Sequence, residues 1–281
     1  MRLFLLTALV MTAFAGNSVL NRMALLDGRM DAVAFGAIRL VAGAVALAAL
    51  VLVSRRSLPL LSPRRLIEAP ALAVYVFGFS LAYRKLDAGT GALILFGGVQ
   101  VVMFAGALAS RPPPRRWIGA AVAICGLALL AAGGTGGTGA MVLMAAAAAG
   151  WGVYSLSGRR SGDPLSDTAA NFGLAALAAL VGVPLLLQGE AALSGGGIAL
   201  AVLSGAVTSG LGYALWYTVL PRLPAEAAGL AQLSVPVIAI LAGAVILGEA
   251  PPLRTVAACA VILGGVALGL APARRRVTAA A

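Results

Sequence analysis

Histidine is absent from all 281 residues. Without an imidazole there can be no Ser-His-Asp triad and no histidine general base. Cysteine is nearly absent as well. Cys125 and Cys259 each lie alone in an apolar run, with no Cys-x-x-Cys spacing. No metal site and no cofactor are expected on that basis. Charge is scarce: 10% of residues are Asp, Glu, Lys or Arg, against about 25% in a soluble domain. So few charges could not cover a surface in water. A strict apolar/polar alternation of period two is also missing, which excludes a membrane barrel.

Acid is the scarcest charge, with nine Asp and Glu against 20 Lys and Arg. Asp27, Asp31, Asp87, Asp163, Asp167, Glu190, Glu226 and Glu249 fall in loops or at segment ends, and Glu68 alone lies just inside an apolar segment. A proton relay needs ionisable groups at depth, so direct proton coupling is not expected. The net charge of +11 would suggest nucleic acid in a soluble protein. Here the basic residues form short clusters between apolar runs, such as Arg55-Arg56 and Arg274-Arg275-Arg276, with no aromatics interleaved. No nucleic-acid partner is expected, and the clusters read as topology signals.

What the sequence has in plenty is apolar length. Hydrophobic residues make up 61% of the chain and the mean hydropathy is +1.02. Ten apolar segments can be drawn, at 3–20, 32–53, 66–83, 88–109, 117–132, 141–156, 168–187, 198–220, 225–247 and 253–271. Most are long enough, at 1.5 Å per residue, to cross a core of about 30 Å. The fifth and sixth look shorter, and a glycine-rich connector, Gly133 to Gly139, joins them. The N-terminal stretch of Arg2, an apolar run and Ala13-Phe14-Ala15 has the form of a cleavable signal peptide. It is read instead as the first helix, because the repeat described next uses it. With the N-terminus assigned inside, fourteen basic residues fall on the cytoplasmic side and five on the other, with Arg39 within a helix. That bias predicts both termini in the cytoplasm of a bacterial inner membrane.

The chain repeats itself. Gly16 aligns with Gly152, Asp31 with Asp167 and Gln100 with Pro236, all at an offset of 136 residues. Leu81-Ala82-Tyr83 pairs with Leu215-Trp216-Tyr217, and Pro113-Pro114 with Pro251-Pro252. The predicted fold is all-α and integral to the membrane, with ten transmembrane helices as two inverted five-helix repeats. The repeats are drawn at residues 1–134 and 140–272, with a basic cytoplasmic tail at 273–281. Five helices per half make the second half enter from the opposite side. Inverted repeats recur in secondary transporters, with the substrate near midplane between the halves.

Leu215-Trp216-Tyr217, Leu223-Pro224-Ala225-Glu226-Ala227-Ala228, Pro236-Val237-Ile238-Ala239 and Leu247-Gly248-Glu249 together resemble the eighth-to-ninth helix signature of the EamA-type drug/metabolite transporters. Trp151-Gly152 through Arg159-Arg160 resembles the opening of that family's second repeat. The first half departs from the pattern, with Gln100 where proline is usual and Ser110-Arg111 where Gly-Glu would close the fourth helix. The resemblance implies a cavity built by helices one to four and six to nine, with helices five and ten outside. It names no substrate.

Polar residues inside apolar segments face a cavity or another helix. The candidate substrate-binding residues are Asn17, Asn21, Arg39, Tyr75, Gln100, Tyr154, Tyr213 and Gln232. Gly97, Gly98 and Pro236 are candidate gating or helix-break positions. Arg39 either snorkels and bonds neighbouring carbonyls or anchors a substrate anion. Gln100 and Gln232 are either interhelical glue or cavity lining. Trp216 and Tyr217, near a segment end, suit an interfacial aromatic belt. Gly265 and Gly269 on the tenth segment form a packing face. The expected function is transport of a small molecule, as an exporter or exchanger of amino acids or related compounds by alternating access. A channel or non-transporting membrane partner, and then an intramembrane enzyme, are the competing readings. The expected partners are the small-molecule substrate and the lipid bilayer, and a homodimer is compatible with the sequence.

Overall fold

The structure is a computed structural model that describes residues 1–106, 114–132, 136–158, 161–186, 192–223 and 231–270. Glu190, Glu226, Arg159, Arg160, Ser110, Arg111 and the tail from residue 271 lie outside the described residues. Among the described residues ten helices follow one another along the chain, and no strand occurs. They are α1 Arg2–Leu25, α2 Ala32–Val53, α3 Arg65–Ala82, α4 Ala88–Gly106 and α5 Pro114–Ala131. Then come α6 Gly137–Gly158, α7 Pro164–Leu186, α8 Gly195–Arg222, α9 Ser234–Leu247 and α10 Leu253–Leu270. Six of them, α1, α2, α3, α6, α7 and α8, are long and apolar enough to cross a bilayer, and α4, α5, α9 and α10 hold shorter apolar helices.

The helix ends follow local chemistry. Asp31 caps α2 by accepting from the N–H groups of Val33 and Ala34 at 2.8 and 3.0 Å, which satisfies two of the orphan donors of the first turn. Gly248 stops α9 in the left-handed region at φ 69°, where a Cβ would be strained. That reversal sends Glu249 back over the bundle. α6 runs for 22 residues, longer than the apolar pattern suggested, because small polar residues of the connector join its first turn.

Two arrangements depart from the sequence expectation. α4 is unbroken through Gly97 and Gly98, so no helix break occurs there. A Cβ on Gly98 would come within 2.8 Å of Ala148 Cβ, and one on Gly97 within 3.1 Å of Leu127. These glycines let α4 approach α6 and α5. Near Pro236 the discontinuity falls earlier, as a turn at Leu233 between residues 231–232 and α9. Pro236 is the third residue of α9, where its missing N–H has no helical partner to lose.

α8 holds the largest irregularity. It runs as α-helix over Gly195–Leu203, widens to a π-helix over Ser204–Leu211 and returns to α-helix over Gly212–Val219. The widened segment packs on α2. A Cβ on Gly205 would stand 2.2 Å from the Arg39 carbonyl oxygen, so only glycine admits this contact. α5 packs on α10 in the same manner, where a Cβ on Gly119 would meet the Gly265 carbonyl oxygen at 2.5 Å. The packing face expected of α10 is thereby present.

Candidate functional site

Arg39 is the eighth residue of α2, about 10 Å along its axis from Ala32. It is fully buried. Leaving a guanidinium at the middle of a bilayer costs at least about 2.5–3.5 kcal/mol without help. The help here comes from neutral groups. Arg39 Nε donates to Ser209 Oγ at 2.9 Å, and Nη2 donates to the hydroxyls of Tyr75 and Tyr213 at 3.0 and 3.1 Å. The guanidinium carbon lies 5.2 Å from the Tyr75 ring centre and 5.1 Å from that of Phe79, within range of cation–π attraction. Nη1 is buried with no partner.

The π-segment makes this arrangement possible. An i→i+5 hydrogen-bond spacing brings Ser204, Thr208 and Ser209 to one side of α8. All three hydroxyls donate to Asn17 Oδ1 of α1, at 2.8, 2.6 and 3.2 Å. Asn17 in return donates to the Thr208 carbonyl at 3.3 Å. Ser209 therefore links Arg39 to Asn17, and α1, α2, α3 and α8 meet at one polar centre. Tyr213 also donates to the Tyr75 hydroxyl at 3.0 Å.

Aromatic rings wall this centre. Trp151 of α6 lies 5.0 Å from Tyr75 and 4.7 Å from Tyr213, centre to centre. Phe14 stands edge-on to both Trp151 and Tyr213, at 5.8 and 5.6 Å. Trp151 Nε1 is buried without a partner. Trp216 and Tyr217 are 2% and 4% exposed and so face inward, not to an interfacial belt.

Of the residues singled out by sequence, Arg39, Tyr75 and Tyr213 are joined directly, and Asn17 through Ser209. Asn21 lies one turn further along α1, with its amide nitrogen on Ser80 Oγ at 3.0 Å and its Oδ1 unpartnered. Tyr154 lines a small cleft with Glu68, Asp167, Asn171 and Tyr217. Gln100 and Gln232 are buried, but neither is among the partners of Arg39.

Two ionic clusters bracket the centre, and the sequence reading missed both. On the face that carries the starts of α3 and α7, Arg65 pairs with Glu68 and Asp167. Asn171 donates to Glu68 at 3.0 Å, and Ser157 of α6 also donates to Glu68. Beside this cluster Arg56 pairs with Asp163 at 2.6 Å. Burial opposes the Asp163 charge, yet hydrogen bonds from Ser166 and Arg56 hold its carboxyl below its ordinary value. On the opposite face Arg22 pairs with Glu249 at 2.7 Å and donates to the Tyr83 carbonyl at 3.2 Å. The second oxygen of Glu249 accepts the first N–H of α4, from Ala88, at 2.8 Å, where the helix dipole favours an anion. Burial, and then the nearby Glu249 charge, push the Asp87 carboxyl above its ordinary value, with Arg22 opposing. Glu249 was legible as part of a signature, but nothing in the sequence pointed to Arg22 as its partner.

Residues 138–270 match the pattern of the EamA-like transporter family. The uncharacterized protein PA1977 of Pseudomonas aeruginosa is 48% identical over 253 residues, covering 88% of this chain and 87% of that one. A crystal structure covering 94% of this chain and 96% of its own has a TM-score of 0.67 at 22% identity, a likeness of fold alone.

Proposed function

This chain belongs to the EamA-like transporter family of multi-pass membrane proteins, and we propose that it is a secondary transporter of a small organic anion that works by alternating access around Arg39. The observation that carries this reading is the buried, unpartnered Nη1 of Arg39. A carboxylate received there would supply the missing charge in a low-dielectric site, in the forked geometry that guanidinium offers. Carboxylate-bearing metabolites, with amino acids and related compounds among them, form the panel to examine, with export or exchange as the direction.

The architecture proposed for this work is two inverted five-helix repeats, at residues 1–134 and 140–272, ahead of a basic tail at 273–281. What supports it is the pairing of helices. α3 packs on α6 as α8 packs on α1, and α4 packs on α6 as α9 packs on α1. α3 meets α7 as α8 meets α2, while α2 meets α7, α4 meets α9 and α5 meets α10. When each helix is exchanged for the one five places away, the first three pairs of contacts interchange and the last three contacts map onto themselves. A protein with that symmetry can present one central site to either side.

The two ionic clusters fit the role of gates. Arg65 with Glu68 and Asp167 ties α3 to α7 on one face, and Arg22 with Glu249 ties α1 to the end of α9 on the other. Both are formed here, with Arg39 enclosed between them. The basic bias supports a bacterial inner membrane with both termini in the cytoplasm, and in that orientation the Arg65 cluster lies inside. No described carboxylate contacts Arg39, so transport follows the substrate gradient or exchange, without direct proton coupling.

The test is counterflow in proteoliposomes over a metabolite panel, with wild type and Arg39→Gln at matched protein. Trans-stimulated uptake of anionic solutes by the wild type, lost in the variant, is the expected result. Uptake without trans-stimulation would indicate a channel, and chemical alteration of the solute an enzyme.

A further inference from the structure

With Arg39 as the anchor of a transported anion, as proposed above, the groups around it also select what else that solute carries. The unpartnered groups at the centre are donors. Arg39 Nη1 and Trp151 Nε1 are buried without acceptors. The Tyr75 hydroxyl accepts from both Arg39 and Tyr213, so its own proton remains to be given. Three donors on α2, α3 and α6 thus await acceptors, and the Trp151 ring touches those of both tyrosines.

Acceptors for a cation are spent or distant. The Asn17 carbonyl already receives three hydroxyls, more than its two lone pairs accommodate ideally. Among the described carboxylates, Asp31 caps α2, Glu68 and Asp167 hold Arg65, Asp163 holds Arg56, and Glu249 holds Arg22. Asp87 lies beside Glu249, on the far face. Among the described residues the remaining unpartnered buried acceptors are all neutral: Asn21 Oδ1, an amide one turn away, and the hydroxyls of Ser18, Tyr217 and Thr255. An ammonium brought into this centre would meet a guanidinium and no counter-charge, and desolvating it unpaired is costly.

We infer that the solute is an organic monoanion, an acidic head on a flat apolar body, with no ammonium group. Its head accepts from Arg39 Nη1, Trp151 Nε1 and the Tyr75 hydroxyl. Its body lies against the rings of Phe14, Trp151 and Tyr213, which present π faces and edges within 4.7–5.8 Å of one another. A zwitterionic amino acid satisfies the head and leaves its ammonium unpaired.

Three probes with the same phenyl body separate the possibilities: 3-phenylpropionate, phenylalanine and phenethylamine. They are compared on the full-length wild-type protein, by thermal midpoint in detergent and by competition in proteoliposome counterflow. Phenylpropionate should raise the midpoint and compete, phenylalanine should be at least about tenfold weaker because of its unpaired ammonium, and phenethylamine should do neither. Trp151→Phe should weaken phenylpropionate several-fold, read as a smaller ligand-induced rise over the variant's own ligand-free midpoint. Phenylalanine equal to or better than phenylpropionate would overturn the inference and leave the carrier reading standing, as would binding of phenethylamine. No binding of any of the three would overturn it too. Failure of the carrier reading shows separately, as the absence of trans-stimulated exchange across the whole metabolite panel.

Discussion

Arg22 Nε and Glu249 Oε1 meet at 2.7 Å although 227 residues separate them in the chain. The contact joins the last turn of α1 to the residue that follows the left-handed Gly248 at the end of α9. Glu249 also holds the start of α4 through Ala88 N. One carboxylate therefore ties three helices at one face, and the apolar-Gly-Glu signature has a physical reading. Glycine turns the chain back, and the acid that follows it closes that end of the bundle.

Neutralising that acid should loosen the face. Glu249→Gln removes the charge from a pair whose side chains are 16% and 13% exposed, and hydrogen bonds to charged groups contribute about 1.5–3 kcal/mol. The thermal midpoint should fall. A cysteine introduced at Ala88 should become more reactive to a membrane-impermeant maleimide than in the otherwise wild-type protein. Equal reactivity would show that the pair does not hold this end shut.

Asp87 gives the same face a pH dependence. Its native pKa lies above its ordinary value because of burial and then Glu249. Ionised Asp87 therefore destabilises the native state at neutral pH, and that penalty disappears as pH falls through its native pKa. Mild acidification should raise the thermal midpoint, and Asp87→Asn should raise it at neutral pH and flatten the response. A midpoint in Asp87→Asn that tracks wild type across the range would assign the dependence to another group.

The helices and the centre were not equally legible. Apolar length located ten segments because the bilayer imposes it, and Arg39 stood out because a lone charge in such a segment has no solvent. Tyr75 and Tyr213 were named as deep polar residues, which burial in lipid makes conspicuous. The π-segment was invisible: Ser204 and Thr208 share a face of an ordinary helix, but Ser209 is five residues from Ser204 and joins them on Asn17 through the widened turn. Trp151 was read as part of a signature, and its inward ring follows from packing against Tyr75 and Tyr213. Gly97 and Gly98 suggested a break because glycine lowers helix propensity, but the close approach to Ala148 and Leu127 decides their role.

The crossing of α2 and α8 should be intolerant of a single methyl. A Cβ at Gly205 would stand 2.2 Å from the Arg39 carbonyl oxygen and 2.9 Å from Ala42 Cβ. Gly205→Ala must push the helices apart, and overpacking of this kind costs about 1–3 kcal/mol. The variant should show a lower thermal midpoint and weakened transport, since Ser209 would be carried away from Arg39. Gly173→Ala, where a Cβ meets nothing within 4 Å, is the control and should leave both unchanged.

Topology is testable without a substrate. The distribution of Lys and Arg predicts that a reporter fused after Arg276 reads cytoplasmic and one inserted between Gly133 and Gly139 reads external. An external reading at the C-terminus would be incompatible with ten crossings from a cytoplasmic N-terminus, and with the inverted repeat.

Arg39→Lys isolates geometry from charge. Lysine keeps the cation on a flexible stem but loses the planar fork that lets arginine bond Ser209, Tyr75 and Tyr213 at once while still offering Nη1. If the role of Arg39 were only to bind helices together, the two residues would differ mainly in stability, and transport per correctly inserted molecule would be preserved. If Arg39 receives a carboxylate, the lysine variant should insert normally yet bind its solute about tenfold more weakly, a difference of about 1.4 kcal/mol. Under the proposed repeat, with its offset of 136 residues, Ala175 is the counterpart of Arg39, and an arginine there would not be a requirement of the fold. The measurement is half-saturation in counterflow for wild type, Arg39→Lys and Arg39→Gln at matched membrane expression. Unchanged half-saturation in both variants would leave Arg39 a structural residue, whereas a graded loss from arginine through lysine to glutamine is the signature of an anion held by a fork.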